Sequence, residues 1–143
     1  MLNPATQPFV GKVFLAIGNG ASPETFTRYC EVSEISGVGV KNDQIDVTTF
    51  CSGGFKQYIP GLSDGSEVSF TANFVMDEPL QEGLMDDVDD KNTRNVQVQI
   101  DGTSPMYIWH LELAMLSYDL APSVSKQNTI KFTGKTTGIP IRT

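Results

Sequence analysis

The clearest feature of the sequence is an alternation of apolar and polar residues over positions 67–76, broken only at Val75. The apolar positions are Val68, Phe70, Ala72, Phe74 and Met76, and the polar positions are Glu67, Ser69, Thr71 and Asn73. Successive side chains of an extended chain point to opposite faces, so a period of two is typical of a half-buried strand. The pattern therefore predicts a β-strand with one apolar, buried side and one polar side.

Weaker alternation and short apolar runs predict further strands on both sides of this one. They lie at 12–17, 27–35, 96–100, 107–115 and 129–133, with strand-like residues at 45–47 and a short end strand at 139–141. Leu80, Leu84 and Val88 are spaced by four and follow Pro79, which suits the first turn of a helix. This spacing predicts one helix over 78–90.

Seven or eight strands with a single helix indicate a mainly β fold, either a β-sandwich or an incomplete barrel with the helix on its flank. The length of 143 residues favours a single domain over 1–143, and the polar start with two prolines predicts an extended N-terminal arm at 1–10. A sheet of this kind leaves open edges, which invite pairing with another chain. A closed ring of identical subunits would satisfy those edges.

The connection over 48–65 combines a high apolar content with residues that break regular structure. Its large apolar residues are Phe50, Phe55, Tyr58, Ile59 and Leu62, and its breakers are Gly53, Gly54, Pro60, Gly61 and Gly65. Long loops in compact domains are usually functional, and exposed apolar patches mark contact sites. We therefore expect a long loop that docks onto a partner. The alternative is an Ω-loop packed on its own domain.

The charge balance of the chain is acidic. Ten basic and seventeen acidic residues give a net charge of −7. Binding of nucleic acid through its phosphates needs clustered Lys and Arg, so the composition argues against it. No apolar run is long enough to span a membrane, and no charged-then-apolar leader opens the chain, so we expect a soluble protein made in a cytoplasm, without a membrane partner.

No constellation in the sequence predicts catalysis or a cofactor. His110 is the only histidine, and no nucleophile or carboxylate stands at a spacing that would pair with it. Cys30 and Cys51 lack metal-ligand spacing and are expected to be free thiols. The sequence therefore does not predict an enzyme.

Two other groups of residues could suggest ligand binding, but the sequence favours a structural role for both. Four acids could suggest calcium, but they lie in the helical pattern without the glycine and distal glutamate of a calcium loop, which favours a solvated helix face. These acids are Asp86, Asp87, Asp89 and Asp90. Tyr107 and Trp109 are interpreted as core or sheet-face residues, with a sugar-binding platform as the alternative.

Two runs in and beside the apolar loop resemble the signature of a known family. The runs are VTTF at 47–50 and FKQYIPGLSDG at 55–65, and they are similar to the central signature of major tail tube proteins of long-tailed, non-contractile bacteriophages. The order of elements is also similar, and Ser117-Tyr118 followed by Ala121-Pro122 resembles the family's late turn. The resemblance covers roughly residues 12–137.

The resemblance implies a two-sheet β-sandwich with a flanking helix and a long hairpin loop. It implies that six copies form a ring and that stacked rings form a hollow tube, which conducts viral DNA to the host. The expected location is the virion tail, after assembly in the host bacterial cytoplasm. The expected partners are the protein itself and other tail proteins (tape measure, tail tip and terminator), with DNA passing through the lumen without specific binding.

The resemblance also assigns roles to residues of this chain. In such proteins the long loop is mobile in the free subunit and orders against neighbouring subunits. The expected contact residues are Thr48, Thr49, Phe50, Phe55, Tyr58, Ile59, Pro60, Gly61 and Leu62. The lumen-lining residues are expected among those on the polar faces of regular strands, namely Glu67, Ser69, Thr71, Asn73 and Glu112. The acidic balance suits an anionic wall, which would avoid attractive contacts with the phosphates of passing DNA.

Two alternatives to a phage tail tube remain open. Tube proteins of contractile tails and type VI secretion systems are similar, so the same fold could serve one of those systems. A small β-sandwich binding module, such as a carbohydrate-binding domain, is the alternative from a different class.

Overall fold

A computed structural model of the protein describes residues 13–100 and 107–143, which form nine strands and one α-helix. In chain order these elements are β1 (Val13–Gly18), β2 (Phe26–Arg28), β3 (Val32–Ser36), β4 (Val40–Asp46), β5 (Tyr58–Gly65), β6 (Glu67–Asn73), α1 (Pro79–Asp90), β7 (Thr93–Ile100), β8 (Tyr107–Ala121) and β9 (Thr129–Arg142). A short 3-10 helix, Phe50–Ser52, lies between β4 and β5. The expected N-terminal arm at 1–10 falls outside the described residues.

The strands form two antiparallel sheets of unequal size. The large sheet has the order β2-β1-β7-β8-β9-β6-β3, and β4 pairs with β5 alone. The predicted fold class, mainly β with two sheets, one helix and a hairpin, is thus confirmed. Strands β2 and β3 form the two edges of the large sheet, so residues adjacent in sequence end up at opposite edges.

The core covers the apolar side of the large sheet. Val68, Phe70 and Ala72 of β6 are buried, as their alternation predicts, and Phe70 stacks on Phe132 of β9 with ring centroids 5.4 Å apart. Further buried residues come from β1, α1, β7, β8 and β9: Leu15, Ile17, Leu84, Val96, Val98, Leu111, Leu113, Met115 and Ile130. Burial of side chains of this size supplies most of the free energy that holds such a domain together.

The helix α1 begins and ends with local signals that the sequence carries. The Glu78 carboxylate accepts a hydrogen bond from the Leu80 N–H, and Pro79 occupies the first turn, where no intrahelical donor is needed. At the other end Lys91 adopts the left-handed conformation, and its N–H bonds to carbonyls of the last turn. The buried Gln81 side chain bonds to both the N–H and the carbonyl of Val75, which ties the helix to the end of β6.

The expected solvated face of the helix needs one correction. Asp86, Asp89 and Asp90 are exposed, but Asp87 is buried. Its carboxylate lies 2.6 Å from Nε of Arg94, and Nη1 of the same guanidinium donates to the Gly18 carbonyl. A buried carboxylate needs such a partner, so this pair joins the end of α1 to β1 and β7.

The single strand expected at 27–35 is two strands separated by a turn. Tyr29 leaves the strand direction, buries its ring in the core and donates its N–H to the Leu15 carbonyl at 2.7 Å. Burial raises the pKa of Tyr29 to about 12, and the nearby carboxylates of Glu78 and Glu31 act in the same direction. The alternation at 27–35 continues through this turn because a buried aromatic at position 29 fits either a strand or a turn.

The two strands expected at 129–133 and 139–141 are one continuous strand, β9. Its first half pairs with β6 and its whole length pairs with β8, which accommodates the length through two register shifts. Gly138 adopts a positive φ within the strand without ending it. The stretch between the two apolar runs is polar, so its side chains do not predict a strand. Its pairing with β8 is made by the backbone, and the sequence pattern therefore suggests two separate strands.

The irregular loop expected at 48–65 is also corrected in its second half. Tyr58–Gly65 forms β5, which pairs with β4. Pro60 lies opposite Gln44 in a two-stranded sheet in which both strands are edges. Pro lacks an N–H and is tolerated only at such edges, so Pro60 and two glycines did not prevent strand formation.

No helix in the described parts of the chain is long and apolar enough to cross a membrane.

Two glycines with the same positive φ offer a test of the turn that leads into the hairpin. Gly37 and Gly54 both have a φ of 85°, but a Cβ at Gly37 would collide with the Glu67 carbonyl, whereas one at Gly54 would meet nothing within 4 Å. Gly54→Ala should destabilise the fold by about 1–2 kcal/mol through backbone strain alone. Gly37→Ala should cost a further ~1–3 kcal/mol through the collision. Urea unfolding measures both changes, and equal losses would contradict the close approach at Gly37.

The projecting hairpin and the polar sheet face

The hairpin β4–β5 carries its large apolar side chains on the outside of the domain. Every residue of β4 is exposed, and Phe50 is fully exposed. Phe55 and Leu62 are 79% and 82% exposed, and Tyr58 and Ile59 are about half exposed. The other exposed apolar residues of the hairpin are Val40, Ile45 and Val47. The structure therefore does not bury these side chains against their own domain, which is what the Ω-loop alternative requires.

The tip of the hairpin is folded by hydrogen bonds among its own residues. The Val47 N–H donates to the Gln57 carbonyl, and the Gln57 N–H donates to the Thr48 hydroxyl at 2.8 Å. Thr49 and Ser52 exchange hydrogen bonds across the 3-10 helix, which turns the chain. Phe50 and Phe55 stand on either side of this turn, so their rings project from a defined piece of backbone.

Asp46 completes the tip at the end of β4. Hydrogen bonds from the side chain and the backbone N–H of Thr48 lower the pKa of the Asp46 carboxyl below its ordinary value of 3.8. The carboxylate form is therefore the one that the folded tip stabilises. Asp46 and Thr48 thus act together to position the start of the turn.

The root of the hairpin is held closely against the large sheet. Ser66 donates its N–H to the Gly39 carbonyl, and Thr136 donates its N–H to the Ser66 carbonyl. A Cβ at Gly65 would come within 2.6 Å of the Thr136 carbonyl oxygen, so only glycine fits there. Beside this root lies an open groove of about 710 Å³, whose apolar lining includes Val40, Leu116 and Ile139.

The expected lumen-lining residues divide into two groups. Glu67, Ser69, Thr71 and Asn73 share the outer face of β6, with the buried residues of the strand on the other face. Glu112 lies on the same side of the sheet but beyond β9, where it is paired in register with Thr137 and Asn95. The structure thus brings the four β6 residues together and places Glu112 apart.

Three charged residues that the sequence analysis did not single out surround the β6 residues. On β9, Lys135 is opposite Glu67 and Lys131 is opposite Thr71. On β8, Asp119 is opposite Lys131. The alternation of Ile130, Lys131 and Phe132 already indicates that Lys131 faces outward. Which residues it meets depends on strand register, which no local pattern displays.

The residues weighed for other chemistry have separate surroundings, although Trp109 and His110 are consecutive in β8. Cys30 and Cys51 are exposed, free thiols. The ring nitrogens of His110 lie 3.4 Å from the Gln97 amide and from the Thr143 hydroxyl. The Arg142 guanidinium covers the Trp109 ring, with 5.3 Å from its Cζ to the ring centroid. Within 13–100 and 107–143 no three His, Cys, Asp or Glu side chains gather as a metal site would need.

Comparison with known proteins identifies the fold. No protein-family model and no curated protein matches the sequence. A chain from the tail of an empty gene transfer agent particle with C6 symmetry matches over 90% of this chain and 95% of its own, with a TM-score of 0.72 and 18% identity. The SPP1 tail tube matches over 94% of this chain and 78% of its own, with a TM-score of 0.74 and 10% identity.

A contractile assembly has the same fold. A chain from the sheath–tube complex of an extracellular contractile injection system in its extended state covers 98% of this chain and 94% of its own, with a TM-score of 0.73 and 11% identity. The predicted resemblance is thus confirmed at the level of the fold: the chain has the tail tube fold.

The depressed pKa of Asp46 predicts how the tip responds to acid. Because the folded tip favours the carboxylate, its contribution is present at pH values above 3.8 and is lost as the pH falls through the lower, folded pKa. The amide resonance of Thr48 should therefore shift in an NMR titration over that acidic range. In Asp46→Asn, which keeps an acceptor but does not titrate, this shift should vanish. A Thr48 amide that shifts equally in both proteins would contradict the interaction.

Proposed function

We propose that this protein is the structural subunit of a phage-type tail tube, in which six copies form a ring and stacked rings enclose a hollow channel that conducts DNA. The observation that carries the proposal is a well-packed domain of tail tube fold that leaves an ordered, apolar hairpin in solvent. The proposal assigns the protein a place in the virion tail and gives it no catalytic role. It concerns tube building, which non-contractile and contractile systems share.

The hairpin has enough apolar surface to drive association. Burying one large apolar side chain contributes about 1.5–3 kcal/mol. Five are exposed between 50 and 62: Phe50, Phe55, Tyr58, Ile59 and Leu62. Together they would contribute roughly 10 kcal/mol, which is comparable with the 4–15 kcal/mol that association costs in lost freedom. Contacts to several neighbours at once, as in a stacked ring, would tip this balance towards assembly.

The polar and small residues of the same segment have a supporting part in the proposal. Thr48 and Thr49 fix the turn that presents Phe50 and Phe55. Pro60 and Gly61 lie in β5, where Gly61 packs against the Ile45 side chain. We assign these residues to the interface because they set the shape of the hairpin that carries the apolar contacts.

The sheet edges supply a second means of association. β2 has three residues and β3 has five, and each presents one unpaired side of its backbone at an edge of the large sheet. Pairing between the edges of neighbouring copies would join six sheets into one barrel around the channel. The outer face of β6 would then contribute to the channel wall, and other tail proteins would meet the tube at its two ends.

Assembly by the purified protein tests the proposal directly. The protein is concentrated, separated by sedimentation and imaged by negative-stain electron microscopy. Hollow tubes with six-fold symmetry in cross-section are the expected result. A protein that stays monomeric at every concentration reached would overturn the proposal.

Substitutions in the hairpin test whether its apolar side chains drive assembly. Phe55→Ser combined with Tyr58→Ser should change the free energy of unfolding of the monomer, measured by thermal denaturation, by no more than about 0.5 kcal/mol per site. Both residues are exposed, so neither contributes much to the core. Polymerisation should be abolished. Val124→Ser is the matched control, since Val124 is fully exposed outside the hairpin and its loss should leave assembly intact. A double variant that polymerises like the parent would show that the hairpin is not the contact.

A further inference from the structure

Two apolar surfaces lie at opposite ends of the hairpin. At the tip, Phe50 and Phe55 project into solvent. At the root, the open groove of about 710 Å³ between the hairpin and strands β8 and β9 is lined by Val40, Leu116 and Ile139, each at least half exposed. We call this second surface the root groove. Apolar surface of this kind in water is typical of a contact site, so each end of the hairpin needs a partner.

The root groove suits an apolar side chain better than an added strand. β9 pairs with β6 only as far as Lys135, and residues 137–142 pair with β8 alone, so one side of their backbone is open. Gly138 has a positive φ there, and Pro140 has no N–H to donate. A strand from another chain would therefore not form a regular ladder along this edge. The occupant that fits is a compact apolar group.

The tip of the same copy cannot fill this groove. The tip and the root are joined by β4 and β5, which pair from Val40 opposite Gly65 to Asp46 opposite Tyr58. The eight residues of β5 span roughly 26 Å at about 3.3 Å per residue. The rings at the tip are thus held far from the root groove of their own copy, and only another copy can bring its tip there.

We propose that the root groove receives the hairpin tip of a second copy, so that the Phe50 and Phe55 rings are buried against its apolar lining. This inference rests on the proposed tube function and names the surface of the neighbour that the hairpin contacts. Because tip and groove are different surfaces of one chain, the contact is head-to-tail, and every copy both gives and accepts a tip. Such contacts propagate from copy to copy, and they close into a ring where the rotation between copies allows it.

The charges of the two surfaces favour this contact. Each copy has a net charge of −7, so two copies repel one another in general. Residues 44–62, which include the tip, carry one acid, Asp46, and one base, Lys56. The charged residues that line the root groove are Asp64 and Lys135, which form an ion pair with Nζ and Oδ2 3.2 Å apart. Both surfaces are therefore neutral, and they meet without net repulsion.

The area of the contact predicts that a single one is weak. A buried aromatic side chain covers about 150–250 Å², so two rings and the matching groove would bury roughly 600–1,000 Å² in total. Stable specific interfaces bury about 1,200–2,000 Å². An isolated pair of copies would thus separate readily, whereas a copy inside a closed ring makes two such contacts, one through its tip and one through its groove.

Cross-linking between thiols tests the contact, because the tip already carries one. Cys51 is exposed and follows Phe50 in the 3-10 helix. In a Cys30→Ser background, Ile139→Cys adds one exposed thiol in the root groove. A short bismaleimide should link Cys51 of one copy to the introduced thiol of the next, and a denaturing gel should show a ladder of covalent multimers. Mass spectrometry of the linked peptides identifies the two positions.

Val124→Cys in the same background is the matched control, since Val124 is fully exposed and lies outside both the hairpin and the root groove. It should give at most the dimers that a link between two Cys51 thiols allows. Adding Cys51→Ser to Ile139→Cys should likewise remove the ladder. No ladder from Ile139→Cys, an equal ladder from Val124→Cys, or a link within a single copy would overturn the inference.

A charge in the root groove gives a second test that needs no cross-linker. Ile139→Asp places a carboxylate where the rings would be buried, so it should raise the protein concentration needed for assembly roughly tenfold or more. Because Ile139 is exposed, the monomer should unfold like the parent. Val124→Asp makes the same change in charge away from the groove and should assemble like the parent.

The outcomes separate the contact from the tube. Tubes of Ile139→Asp at the concentration at which the parent assembles would overturn the head-to-tail contact while leaving the tube function standing. A ladder from Ile139→Cys, with a parent protein that forms no tubes at any concentration, would support the contact and overturn the tube function.

Discussion

The backbone pairing of β9 is the interaction on which the rest of the structure depends. This strand pairs with β8 along one edge and with β6 along the other, so it joins the two halves of the large sheet. Its inward residues Ile130 and Phe132 are completely buried, and its outward residues include Lys131 and Lys135. One strand therefore fixes the core, the positions of the two outward lysines and, through Thr136, the root of the hairpin.

The hairpin is the place where the fold departs from what favours an isolated domain. A monomer gains nothing from six exposed strand residues in β5 or from phenylalanine rings in water. The resemblance predicts a loop that is mobile until it meets a neighbour, whereas the tip here contains its own hydrogen bonds around Thr48 and Ser52. A tip ordered in advance would lower the entropy lost on association, which favours assembly at lower concentration.

Much of the fold follows from local patterns in the sequence. The alternation in β6 and the spacing of Leu80, Leu84 and Val88 predict their elements because each pattern reflects one buried face. The exposed apolar residues of the candidate site could also be predicted from the sequence. Glycine and proline stand among large apolar side chains there, which distinguishes the hairpin from core strands. These features are local, so one sequence displays them.

The remaining features depend on contacts between distant parts of the chain. The continuity of β9 and the strand character of β5 arise from pairing, which their own residues do not display. The burial of Asp87 depends on Arg94 arriving from the next strand. Likewise, the lysines opposite Glu67 and Asp119 could not be placed without the register of β9, because register is set by pairing across the sheet and not by a local pattern.

The tight fit of Gly65 against Thr136 holds the root of the hairpin in a fixed orientation on the large sheet. A strand of eight residues such as β5 is roughly 26 Å long, so a tilt of the domain by about 10° would carry the tip through about 5 Å, the spacing of one neighbouring strand. Small errors in how a newly arrived copy is oriented would thus be magnified at Phe50 and Phe55, where they would forfeit contact. In the proposed tube, geometry of this kind would let the growing polymer reject misaligned additions with no energy source beyond binding itself.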